Sequence, residues 1–77
     1  MAQNVARVVA ELDAPDVHLL SGVEHGMRFS EWVDRGRLPE FSRLDVEEVE
    51  YRVDRVLDRD LVERKTIQYE GYKLTPA

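Results

Sequence analysis

Arg52, Arg55 and Arg59 recur at spacings of three and four residues, which would line their guanidinium groups along one side of a helix. A planar guanidinium fork pairs bidentately with phosphate oxygens or with a guanine edge. Farther on, Arg64, Lys65 and Lys73 surround Tyr69 and face only Glu63 and Glu70. Cations around an exposed ring can grip a nucleic-acid backbone while the ring stacks on a base. Upstream, Arg28, Arg35, Arg37 and Arg43 make residues 28–43 slightly positive, and Arg43 stands where a turn could present it to phosphate. The chemistry offered by these residue types is anion binding, with no bond made or broken.

Two observations weigh against the helix as a simple DNA reader. From Asp45 to Asp60, seven acids stand against three Arg, a net of −4, which suits a major groove poorly at ordinary salt. Glu48 also stands four residues before Arg52, so the pair can close on itself and leave the outer face merely solvated. In the hairpin, Tyr72 is read as packing onto the helices; for Tyr69, packing and stacking both stay open. Catalytic patterns are missing. His18 and His25 have no third ligand at a metal spacing. Ser21, Ser30 and Ser42 sit in no nucleophile motif, and no glycine-rich loop cradles phosphate.

Seventy-seven residues make one small domain, 1–77, and exclude a complete two-lobed or doubly wound enzyme. At 43% hydrophobic and 35% charged the chain is globular in composition. It has no Cys, which points to a reducing cytoplasm. No apolar run approaches the ~20 residues that span a bilayer. The net charge is −5, and nine of the eleven cations are Arg. An acidic, Lys-poor surface suits concentrated salt, where its self-repulsion is screened; the alternative is an ordinary acidic domain.

The binding residues need elements to hold them. Val5, Val8, Val9 and Leu12 mark a first helix, from about Asn4 to Leu12. Asp13, with Pro15 and Asp16 behind it, reads as a capping box that starts a second. Val17, Leu20, Val23 and Met27 form its expected buried stripe, and Gly26 its end. Residues 29–33 fit either one helical turn or a strand that pairs later. Pro39 opens a short helix at Leu38 to Phe41. Asp45, Glu48 and the Leu44–Val49 staple start the best-specified helix, whose apolar face is Val46, Val49, Val53, Val56 and Leu57. Strands at 61–67 and 72–75 flank a turn in which Gly71 fits a left-handed position. Short helix, three-residue turn, longer helix and hairpin make a winged helix-turn-helix: mainly α with a small β-hairpin.

Several stretches resemble a known family. Gly26-Met27-Arg28-Phe29-Ser30-Glu31-Trp32-Val33 is similar to the "G-M-(K/R)-x-x-E-W-V" segment of the Rio kinases of the second subfamily. Val46 to Arg52, Leu61 to Arg64, and Tyr69-Glu70-Gly71-Tyr72-Lys73-Leu74-Thr75 resemble that family in the same order, the last matching "Y-E-G-Y-x-L-T". The resemblance implies an N-terminal winged helix that contacts ribosomal RNA ahead of an atypical serine kinase domain acting in small-subunit maturation. It also implies that the nucleotide loop, catalytic Asp and metal-binding Asp, with ATP and Mg, belong to that kinase domain and that no cofactor binds here.

The leading expectation is a docking module for ribosomal RNA or the pre-small ribosomal subunit, using Arg43, Arg52, Arg55, Arg59, Arg64, Lys65 and Tyr69. A freestanding dimeric DNA-binding regulator is the second reading, on fold analogy. A protein-interaction module, docking an adjacent kinase domain or a ribosomal protein through the acidic sector and the first helix, is the third.

Overall fold

The computed structural model describes residues 12–76. The helix expected from Asn4 to Leu12 falls, apart from Leu12, outside them. Helix α1 (Ala14–Met27) starts as its sequence requires. The Asp13 carboxylate accepts from the Asp16 N–H at 3.2 Å, and Asp16 accepts from the Asp13 N–H at 3.4 Å. These reciprocal bonds satisfy two of the N–H groups in this first turn.

The inward face of α1 is not the expected stripe. Asp16, Leu19, Gly22, Val23 and Gly26 are buried, whereas Val17 is exposed and Leu20 and Met27 are only partly covered. Close backbone approach selects this face. A Cβ on Gly22 would lie 2.8 Å from Ser42 Cα, and one on Gly26 would lie 2.7 Å from Val33 Cγ2. Apolar periodicity follows bulky side chains and is blind to a face chosen for having none.

Strand β1 (Val33–Asp34) realises the extended alternative for this segment. A 3-10 turn over Arg35–Arg37 leads into α2 (Leu38–Ser42), which carries Pro39 in its first turn. The Ser42 hydroxyl donates to the Leu38 carbonyl at 2.6 Å, and Arg43 adopts a left-handed φ of 61° that ends the helix. Helix α3 (Val46–Asp58) begins where the Asp45 carboxylate accepts from the Glu48 N–H at 2.8 Å. Glu48 does not complete the expected box; its carboxylate turns to Arg52. Val49, Val53 and Val56 face inward, and Val46 stands outside that stripe in solvent.

Strands β2 (Val62–Lys65) and β3 (Gly71–Leu74) form the expected hairpin. A third strand joins it. The order is β1-β3-β2, all antiparallel, with Val33 opposite Tyr72 and Val62 opposite Leu74. The left-handed turn residue is Gln68, at φ 73°, and not Gly71, which opens β3. Gly71 is small for a different reason: a Cβ there would meet Tyr69 Cε2 at 2.9 Å and Trp32 Cβ at 3.0 Å. The core is Leu19, Val23, Val33, Leu38, Val49, Val53, Val56, Val62 and Tyr72. Helices α2 and α3 with their short turn, followed by the hairpin, make a winged helix.

Candidate nucleic-acid interface

The Arg sector of α3 is turned onto α1. Arg52 Nη1 lies 2.7 Å from Asp13 Oδ2, and its Nε donates to Glu48 Oε2 at 3.0 Å. Arg55 donates from Nη2 to Asp16 Oδ2 at 2.8 Å. Arg52 retains 12% side-chain exposure. Arg59 Nη1 donates to the Arg55 carbonyl at 3.1 Å. Burial alone would push the Asp16 carboxyl up. The Arg55 bonds, the Asp13 N–H and the charges of Arg55 and Arg52 outweigh it and hold Asp16 below the usual aspartate range. Arg52 and Arg55 thus fasten two helices, Arg59 bonds back within its own, and the Tyr51 ring, 4.9 Å from the Arg52 guanidinium, stands exposed beside them.

The wing is fastened from within. Glu70 accepts from the Tyr72 hydroxyl and from Arg35 Nη1, and the Arg35 N–H donates to the Glu70 carbonyl at 2.9 Å. The Tyr72 and Arg35 hydrogen bonds hold the Glu70 carboxyl low. Burial first, and then the Glu70 bond, push the Tyr72 hydroxyl up. Tyr72 is a core residue, as its packing reading expected.

Outside this fastening lie the other candidates, of which Arg43, Arg64 and Tyr69 are exposed and Lys65 is half-buried. Lys65 Nζ stands 4.4 Å from the Tyr69 ring centroid and 5.8 Å from that of Trp32. Lys73 stands 4.8 Å from Trp32 and pairs with Glu31 at 3.4 Å. Arg64 is exposed near Glu70. Among the described residues, neither Arg43 nor Lys65 has an ion-pair partner within 4 Å.

Beside the wing runs a groove of 630 Å³ that no expectation included. Its rings come from the end of α1, from the segment between α1 and β1, from α2 and from the β2–β3 turn. Phe29 and Phe41 stack 6.1 Å apart and 10° from parallel, with His25 against both at 5.6 and 5.4 Å. The Arg37 guanidinium lies 5.1 Å over Phe41. Trp32 and Tyr69 close the wing end. A trace of this cluster was visible as His25 and Phe29 four residues apart; Phe41 joins only through the fold. Among the described residues, no group of three His, Asp or Glu could hold a metal ion, and no helix is long and apolar enough to cross a membrane.

The family described as Rio2, N-terminal, matches residues 9–77. The chain is also similar to the Rio2 kinase of Chaetomium thermophilum, known from a crystal structure with ADP, Mg2+ and phosphoaspartate. Identity is 27% at a TM-score of 0.80, over 91% of this chain and 22% of that one. The chain therefore spans about a fifth of that kinase's length. No curated protein matches it.

Proposed function

The chain belongs to the Rio2 N-terminal family, and from that premise we propose that it is the RNA-docking winged helix of a Rio-type atypical serine kinase acting in maturation of the small ribosomal subunit. Phosphoryl transfer, with its ATP and Mg, is the work of the kinase domain; this segment supplies placement on ribosomal RNA. The observation that carries the reading is the division among the cations. Arg52 and Arg55 are spent on α1, whereas Lys65 and Arg43 keep an unpaired charge and Lys65 sits against the exposed Tyr69 ring. Contact falls to Arg43, Arg64, Lys65 and Tyr69; Arg52 and Arg55 act by positioning the helix behind them, and Arg59 closes its last turn. The acidic, Lys-poor remainder fits a cytoplasm of high salt.

Anisotropy titration of small-subunit RNA fragments over a range of salt tests the reading. Binding should weaken with salt and fall in a Lys65→Gln, Tyr69→Ala double variant. Absence of binding at every salt would overturn it.

One observation favours a second reading. Glu47, Glu50, Asp54 and Asp58 stand exposed on the outer side of α3. That sector suits a basic protein surface, such as an adjacent kinase lobe or a ribosomal protein.

A further inference from the structure

The groove beside the wing does not end at its own walls. His25, Glu40 and Phe41 also line a second hollow of 370 Å³ that reaches Arg43. At the opposite end, Tyr69 carries Lys65 above its ring. The two hollows form one aromatic track, and two described cations without an ion pair, Arg43 and Lys65, stand at its two ends; a third, Arg64, is exposed on β2. Between them Phe29 is 73% exposed. A ring this bare contributes little to the core, and the face turned away from Phe41 is open to stack.

We propose that this track binds single-stranded RNA, unpaired bases stacking on Phe29 and Tyr69 while Arg43 and Lys65 hold backbone phosphates. The inference rests on the RNA reading above and narrows it to a strand form. Every base has a π-face, but a duplex hides it in its own stack, so a concave wall of rings suits an unpaired strand. The acids on the track do not contradict this. Asp34 Oδ1 accepts from the Gly36 N–H at 2.9 Å, and Glu40 pairs with Arg37 at 3.3 Å. Both are partly neutralised within the fold.

The test titrates the full chain with a labelled oligoadenylate of about a dozen nucleotides and with an RNA hairpin of similar charge closed by a self-stacked tetraloop. Phe29→Ala should weaken oligoadenylate binding about tenfold or more and leave the hairpin nearly unchanged. Phe29→Trp, which keeps a stacking face, should restore it. Phe29 is exposed, so an unchanged melting temperature will show that the variant folds. If oligoadenylate binding is insensitive to Phe29→Ala while Lys65→Gln still weakens the hairpin, the track is overturned and the RNA reading stands. If neither RNA binds the parent chain, both fall; Phe29-dependent capture of an Arg-rich peptide would then assign the groove to a protein.

Discussion

Arg55 donates to both carboxylate oxygens of Asp16, Nε reaching each at 3.1 Å and Nη2 reaching Oδ2 at 2.8 Å. Asp16 is fully buried at the first turn of α1, and Arg55 belongs to the helix a winged fold would lay on its target. The contact joins the cap of one helix to the flank of another, 39 residues away. It makes the orientation of α3 depend on an electrostatic clamp as well as on three valines.

Removing the clamp's acid should therefore cost stability. Asp16→Ala leaves Arg55 and Arg52 without their buried partner, a change that costs roughly 3–5 kcal/mol when both charges are buried. Arg55 keeps 25% of its side-chain surface in water, so a loss of about 3 kcal/mol is expected. Urea unfolding at neutral pH measures it. A variant within half a kcal/mol of the parent would show that the clamp is dispensable.

Acid should undo the same contact. Asp16 and Glu70 titrate below their ordinary values of 3.8 and 4.5. The unfolded chain thus binds more protons, and these groups stabilise the fold fully above those values. The contribution drains away as pH falls through the lower folded values. Tyr72 acts oppositely: its hydroxyl is raised above 10.0, so its contribution is whole below that pH and is lost as pH rises through the folded value. Melting temperatures across pH should fall at both ends, and Asp16→Asn should flatten the acid limb.

Gly22→Ala sets two effects against each other. Alanine gains about 1 kcal/mol in helix propensity over glycine. Its Cβ would sit 2.8 Å from the backbone N and Cα of Ser42, and overpacking a tight contact costs about 1–3 kcal/mol. The neighbour is backbone and cannot rotate away, so the clash should win and the melting temperature drop. A rise would mean that α2 shifts without strain.

Wing and clamp should separate in binding experiments. Lys65→Gln should leave the melting temperature unchanged and reduce the slope of log affinity against log salt by roughly 0.7 for a single strand. Arg55→Ala should instead lower the melting temperature, with affinity following the folded fraction. Full loss of RNA binding in Arg55→Ala at undiminished stability would move that residue to the interface.

Salt should stabilise the chain. Its net charge of −5 repels itself over distances that about 0.1 M salt screens poorly and 1 M screens well, as the Debye length falls from about 10 to 3 Å. The buried Asp16 contact is shielded from that screening, so the balance favours folding in molar KCl. A melting temperature indifferent to KCl would leave the acidic surface without this role.

Much of the fold was legible because its punctuation is chemical. Asp13 with Asp16, Asp45, and Pro39 announce helix starts that the backbone must satisfy locally, and the valine spacing of α3 follows from them. The inward face of α1 was hidden because glycine and a clamped aspartate fill it, neither of which registers as apolar. The third strand has only two residues and exists through pairing with Tyr72 and Gly71. The inward turn of the Arg sector was half legible: Glu48 announced itself four residues before Arg52, but Asp13 and Asp16 reach it only through the tertiary fold. The aromatic track was obscured likewise, since Phe29, Phe41 and Tyr69 come from three separate stretches.

Glu70 follows Tyr69 directly and is held by both Tyr72 and Arg35. The tip of the wing is thus shaped before anything arrives to meet it. On the proposed RNA reading, a strand would have no loop to wait for, and association would proceed at a pace set by diffusion and orientation. Partners of different quality will differ chiefly in how long they remain. On that same reading, the carboxylate that tidies this turn would make residence time the quantity by which the surface discriminates.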